Sequence, residues 1–456
     1  MRTRAWRRCA SLSVFLLSNR PWRRALALAL ALYGCGGGGQ APNAASGASG
    51  ASSSGSGTLS GSGSTTGAIG GTGAGAATGD SAASGASAGA ATSGAGSAGL
   101  SGTSGGSTGA STDDAGSGAS GAATPSDAST DGPSAPLNPS VLAMMRKVAD
   151  WQLGQGGING IDWIAGAMWT GIMATYQATG DAKYLNAVKA WGQASNWSLA
   201  GGITTNADNQ CAAQTYFDTY LLAPGAANMR QVTGAKPSFD AMITSGNAGW
   251  TWEDALFMSP PGLTRLGVIE NDPRYFQLLD SNWARAYASL FNVADGLSCR
   301  DPNCNGVYWA RGNGWVIAAL ARVLEYLPAT EAKRSTYEAQ FKTMAAVLKK
   351  WQGTDGLWRS DITHPARFAN PESSGTGFMT FGIAWGINSG LLDRATYVTV
   401  AQKGWQGLVS TVAPSGMVGY VQAVGGAPGP AGPGNTAEYG TGAFLLAGSE
   451  VAKLGP

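Results

Sequence analysis

"SGTGFMTFGIAWGINSGLLDRATYVTVAQKGWQGLV", Ser374 to Val409, holds two helices of different kinds joined by a turn. The first, Ser374 to Asn388, is apolar or small on nearly every side and carries a glycine at 375, 377, 382 and 386. A helix with no polar face belongs inside a protein. The second spaces Tyr397, Val400, Ala401, Trp405 and Leu408 three or four residues apart and sets Lys403 among polar neighbours, the pattern of a surface helix. The turn between them, "SGLLD", is short.

The same alternation recurs along the chain. "WIAGAMWTGIMATYQATGD", "DNQCAAQTYFDTYLLA", "DALFMSPPGLTRLGVIEND", "RGNGWVIAALARVLEYLP" and "EYGTGAFLLAGSEVAKLG" are apolar on most sides. Amphipathic stretches lie between them: "PSVLAMMRKVADWQL", "DAKYLNAVKAWGQAS", "KPSFDAMITS", "DPRYFQLLDSNWARAYASL" and "KRSTYEAQFKTMAAVLKKWQ". About twelve helices in six pairs, at roughly 50 residues per pair, predict an all-α (α/α)6 barrel, with six inner helices ringed by six outer ones. Turns from inner to outer helices are short and carry Gly or Asp, whereas connections such as "FNVADGLSCRDPNCNGVYWA" are long and irregular. Long structured loops tend to carry function, so the active face is expected where the inner helices begin.

Residues at those starts are expected to converge on one mouth: Asp208, Asp254, Arg311, Thr376, Glu438 and Tyr439, with Trp163 and Trp169, and with Trp252, Trp309 and Trp315 as neighbours. Helix N-termini pointing into a mouth favour an anion by about 0.3 to 1 kcal/mol each. Two carboxylates, an arginine and aromatic faces together suit an acidic saccharide. Asp208 and Asp254 are read equally well as N-caps, and Glu253 competes with Asp254 as the candidate acid, since adjacent helical residues point in different directions. Arg311 also fits a structural ion pair, and a single tryptophan is more often core than platform.

The barrel is expected to occupy 138–456. Ahead of it, residues 36–137 are almost wholly Gly, Ser, Ala and Thr, which gives no packed core and reads as a disordered tether of about 55 Å end to end. Residues 1–35 read as a secretory signal, and "LYGC" at 32–35 resembles the bacterial lipobox, which places a lipid on Cys35 and the protein, exported, on the cell envelope. A net charge of +2 gives no reason to expect nucleic acid as a partner. Cys299 and Cys304 are close enough in sequence for a small-loop disulfide in an exported protein, and Cys211 reads as a buried thiol. With a single histidine, His364, in an extended "DITHPARF", neither a zinc site nor a Ser-His-Asp triad is expected, and neither is any metal or cofactor.

"TWEDALFMSPPGLTRLG", "NDPRYF", "YWARGNGWVIAALARVLEYLP", "DGLWRS", "PESSGTGFMTFGIAWGINSGLLDRATY" and "EYGTGAFLLAGSE", in this order, resemble the signature segments of glycoside hydrolase family 105, the unsaturated rhamnogalacturonyl hydrolases. The resemblance covers the whole barrel and none of the tether. It implies the (α/α)6 fold reached above. It also implies hydration of the 4,5-double bond of an unsaturated galacturonic acid at the nonreducing end of lyase-cut rhamnogalacturonan, rather than the two-carboxylate scheme of most glycosidases. On it, Asp254 protonates C4 and helps a water add at C5, and Asp208 is the second aspartate, holding ring hydroxyls. Arg311 is the candidate for the uronate carboxylate, since a guanidinium fork fits it bidentately. Trp315 and Trp169 are candidates to stack on the sugar. The chain departs from the family in "GLSCRDPNCNGVYWA", where members often carry a histidine. Two alternatives stand beside this reading: an unsaturated glucuronyl hydrolase, and a noncatalytic carbohydrate-binding lipoprotein.

Overall fold

The computed structural model describes residues 136–156, 159–302 and 305–455. The signal, Cys35, Cys304 and all of the tether but its last two residues lie outside the described residues.

Six pairs of helices form one ring. Outer α1 (Pro139–Leu153) leads to inner α2 (Trp163–Thr179), and outer α3 (Ala182–Ala194) to an inner helix made of α4 (Ala207–Gln210) and α5 (Ala213–Leu222). Outer α6 (Arg230–Thr233) and α7 (Lys236–Ser245) precede a second divided inner helix, α8 (Ala255–Met258) and α9 (Pro260–Glu270). The last three pairs are α10 (Pro273–Leu290) with α11 (Ala310–Leu324), α12 (Arg334–Trp351) with α13 (Ser373–Asn388), and α14 (Arg394–Ser410) with α15 (Glu438–Val451). The ring closes where α15 packs on both α13 and α2. Every residue of α11 is buried, as is all of α13 except Asn388, whereas α10 and α12 bury one stripe each. The predicted (α/α)6 barrel is therefore the observed fold.

One small feature was not legible in the periodicity. A two-stranded antiparallel hairpin, β1 (Phe291–Asn292) with β2 (Leu297–Ser298), sits in the long connection from α10 to α11. Strands of two residues leave no alternation to read.

The short turns share one grammar. α2 ends on Gly180 in the left-handed region (φ 69°), and the next residue, Asp181, caps α3 by accepting from the Lys183 N–H. α9 ends on Asn271 (φ 51°), and Asp272 caps α10 through the Arg274 N–H. A two-residue reversal between antiparallel helices leaves no room for function at that end of the barrel.

Glycines on the inner helices let backbones approach. A Cβ on Gly442 of α15 would lie 2.2 Å from the Ala167 carbonyl oxygen of α2, and backbone cannot retreat as a flexible side chain can. Gly442→Ala is therefore expected to destabilise the domain by about 1 to 3 kcal/mol through overpacking at the ring closure, read as a lowered denaturant midpoint. A midpoint equal to the parent's would remove the close-packing account of these glycines.

Candidate active site

The two divided inner helices carry the two aspartates. α4 and α8 are single turns set ahead of the main inner helices, and each presents an aspartate: Asp208 in the first turn of α4, Asp254 immediately before α8. The break after α8 follows from sequence, because Pro260 and Pro261 fit only at the start of a helix. The two turns are tied together. Ser259 Oγ donates to Gln210 Oε1 at 2.5 Å, and Gln214 Nε2 donates to the Phe257 carbonyl at 2.7 Å.

Neither aspartate is a cap. Asn206 caps α4, accepting from the Asp208 N–H at 2.9 Å. Asp254 has helical angles (φ −61°, ψ −34°) and its side chain makes no capping hydrogen bond. With the capping role removed, two carboxylates stand at the mouth without a structural task.

Glu253 and Asp254 differ in direction. Glu253 points inward, fully buried, against Gly312 of α11, where a Cβ would fall 1.5 Å from Glu253 Oε1. Burial, with the Asp254 charge adding to it, raises the Glu253 carboxyl well above its ordinary range. Asp254 keeps 16% of its side chain exposed. Burial pushes its pKa up to about 6, against the pull of Arg300 and Arg311 and with Asp208 adding to the rise. Asp208 is also raised by burial, with Arg300 opposing and Asp162 adding. A carboxyl near 6 that meets solvent is poised to give and take a proton near neutral pH.

Several expected ligands lie elsewhere. Arg311 is 1% exposed, and both its Nη groups are engaged: Nη1 with the Gln422 carbonyl at 2.6 Å, Nη2 with the Ala423 carbonyl at 3.0 Å. The Trp309 and Tyr439 rings flank it at 4.4 and 4.8 Å. It pins the 411–437 connection over the mouth rather than presenting a free fork to a substrate, which corrects the carboxylate-binding expectation. Trp169 lies two turns into α2 and stacks on Trp191 at 5.0 Å, inside the core. Trp315 is enclosed by Phe257 at 4.6 Å and Phe378 at 4.0 Å. Neither enclosed ring has a face left for a sugar, so both stacking expectations are corrected. Thr376 is buried, with Oγ1 donating to the Glu372 carbonyl at 2.7 Å and accepting from the Trp358 N–H at 3.1 Å, which makes it a structural residue.

What remains open at the mouth is half-buried Trp252, two residues before Asp254, and half-buried Trp163, which stacks on Tyr439 at 5.3 Å. The basic side chain that sequence reasoning missed is Arg300. It is 34% exposed, and its Nε lies 3.3 Å from Asp254 Oδ2. Its only sequence cue is its place in "SCRD", directly after a cysteine in an irregular loop, and Cys299 is disulfide-bonded. His364 is largely exposed beside Asp361, as expected of a loop residue, and Cys211 is a buried free thiol. Among the described residues, no group of three or more His, Cys, Asp or Glu side chains is placed to hold a metal ion.

A second polar cluster lies toward the C-terminal ends of the inner helices, away from the mouth. Asp218 of α5 receives Arg265 Nε at 2.6 Å, Arg322 Nη2 at 3.2 Å and the Tyr326 hydroxyl at 2.7 Å, all buried. Burial alone would raise Asp218, but Arg265 and Arg322 more than offset that and hold it below the usual carboxylate range. It ties three inner helices together and touches no opening.

The family model described as Glycosyl Hydrolase Family 88 matches residues 140–455, the whole barrel. The chain is 33% identical over 343 residues to an unsaturated 3S-rhamnoglycuronyl hydrolase from Formosa agariphila, covering 69% of this chain and 91% of that protein. Among solved structures, a glycosyl hydrolase family 88 protein from Bacteroides vulgatus is 27% identical with a TM-score of 0.66, covering 69% of this chain and 99% of that one. A chain described as a polysaccharide lyase is 32% identical with a TM-score of 0.65, covering 69% of this chain and 97% of that one.

Proposed function

The chain belongs to Glycosyl Hydrolase Family 88, and from that premise we propose that it removes an unsaturated uronyl residue from the nonreducing end of oligosaccharides left by polysaccharide lyases. The observation that carries the mechanism is Asp254, a non-capping carboxyl with a pKa of about 6 at the barrel mouth. Protonated, it delivers a proton to C4 of the vinyl ether. As carboxylate, it then draws a proton from the water that adds at C5. The hemiketal so formed opens, and the neighbouring sugar leaves. Asp208, on the adjoining turn, holds ring hydroxyls. Trp252 and Trp163 supply the open aromatic faces.

The leaving sugar is read as rhamnose, supported by the Formosa relative's name and by the motif resemblance. Two substrates test this side by side: lyase-cut rhamnogalacturonan, and lyase-cut fragments in which the unsaturated uronyl unit is joined to a 3-sulfated rhamnose. The readout is the ultraviolet absorbance of the conjugated double bond. A hydrolase erases it, whereas a lyase acting on the uncut polymer would create it, so the sign of the change separates the two activities represented among the similar structures. No decay on either substrate would sink the reading. Since Asp254 must start protonated, kcat/KM is expected to fall as pH rises past about 6, approaching tenfold per unit, and a profile flat to pH 8 would remove Asp254 as the acid.

The reading extends to placement. The sequence at 32–35 supports lipidation of Cys35 and a position on the envelope, with residues 36–137 as the leash that lets the barrel reach polymer fragments. Fatty-acid labelling lost on Cys35→Ser would support it; label retained would not.

A further inference from the structure

Resting on the hydrolase reading, we propose that Arg300 works by carboxylate exchange. In the empty site it is held by Asp254, and on binding it is taken over by the carboxylate of the uronyl substrate, so that Asp254 collects a proton from solvent and becomes the acid only when substrate is present.

Three observations carry this. Of the two arginines whose charge acts on Asp254, Arg311 is 1% exposed and its Nη groups serve the Gln422 and Ala423 carbonyls, so its fork is not presented to a substrate. Among the described residues, Arg300 is paired with groups that another carboxylate can replace: its Nε lies against Asp254 Oδ2 at 3.3 Å and its Nη1 meets exposed Asp301. The Nε contact is loose as well, since neither Arg300 Nε nor Asp254 Oδ2 has a hydrogen bond of good geometry among the described residues. Meanwhile Arg300 is anchored at its backbone, where its carbonyl accepts the Glu253 N–H at 3.2 Å, so the guanidinium can turn without leaving the acid's side.

The charges facing Asp254 are few. Glu253 stands beside it with its carboxyl raised well above the ordinary range, Arg311 reaches it from α11, Asp208 from α4, and Arg300 from the loop after β2, with Asp162 and Asp301 acting one step removed. When an incoming uronate engages Arg300, Asp254 loses its nearest cation and gains a nearby anion. Both changes favour the protonated carboxyl. The proton comes from bulk solvent and bonds to a carboxylate oxygen of Asp254; no other bond is made or broken in this step.

The test is a pair of pH profiles on the unmodified protein, using a lyase-cut oligosaccharide that it turns over. The falling limb of kcat/KM reports Asp254 in the free enzyme, and that of kcat reports it in the complex. The kcat limb is expected at least about one pH unit above the kcat/KM limb. In Arg300→Gln the kcat/KM limb should rise and the separation should shrink to the smaller part that the substrate's own charge supplies, while KM rises by about 30-fold or more, and Arg300→Lys should restore part of the lost separation. A residue that only shapes the loop would change KM and leave the separation in place. Turnover with coincident limbs in the unmodified protein, or a separation in Arg300→Gln as wide as the parent's, overturns the exchange and leaves the hydrolase standing. Absence of any turnover on either substrate overturns the hydrolase and the exchange with it.

Discussion

Asp254→Asn is expected to lower turnover of the unsaturated oligosaccharide by about a thousandfold, within the usual range for losing a positioned acid, while the thermal midpoint stays within a few degrees of the parent. The two halves of this expectation come from one geometry. Asparagine has the same shape but cannot release a proton to carbon, so the first step loses its donor. The same substitution removes nothing the fold uses, because the Asp254 side chain caps no helix and its Oδ2 has no hydrogen bond of good geometry. A buried carboxyl raised toward 6 is also an ionisation that folding resists at neutral pH, so a neutral replacement costs the fold little. Steady-state kinetics beside a melting curve checks both halves. Activity within tenfold of the parent would place the acid elsewhere, whereas lost activity with a collapsed midpoint would mean the residue is structural.

The opposite pattern is expected at the other end of the barrel. Asp218→Ala should destabilise the domain by about 3 to 5 kcal/mol, because it leaves two buried arginines, Arg265 and Arg322, facing the single carboxylate of Glu325, 3.9 Å from Arg265, the costly way to break an ion pair. The arginines cannot turn to water: their side chains are 1% and 5% exposed. Urea denaturation measures the loss, and among protein that remains folded, KM should be unchanged. Lower pH should act in the same direction. Asp218 is held below its unfolded value, so its contribution is full above that value and fades as pH falls through the folded one. A denaturant midpoint within error of the parent would mean the cluster is a neutral passenger of the core.

How far each part could be read from the chain depended on what periodicity encodes. All-round apolar helices against one-stripe helices is a statement about neighbours, and it gave the ring. The glycine-bearing and aspartate-bearing short turns gave its polarity, hence the end where Asp208 and Asp254 meet. Periodicity does not encode depth along an inner helix. Trp169 and Trp315 share the apolar pattern of the mouth residues but sit below it, wedged on Trp191 and between Phe257 and Phe378. Arg311 was found by residue type, and its committed partners, Gln422 and Ala423, lie more than a hundred positions away. Arg300 escaped because an irregular loop has no period at all, and only the folded chain shows it against Asp254.

The closure of the ring bears on how the chain reaches its native state. Contacts within one hairpin, such as α13 on α14, can form early, but α15 packs on α2, Gly442 lies against Ala167, and the Asn138 N–H bonds the Ala452 carbonyl at 2.8 Å. Those contacts span nearly the whole domain, and loop closure over such a distance is slow relative to pairing within one hairpin. Until the final pair arrives, the apolar flanks of α2 and α13 face water. The domain therefore passes through an open arc of stacked hairpins whose two sticky ends match each other, and at high concentration would match a second copy as well. Refolding yield should accordingly fall with protein concentration far more steeply than the stability of the finished ring would suggest.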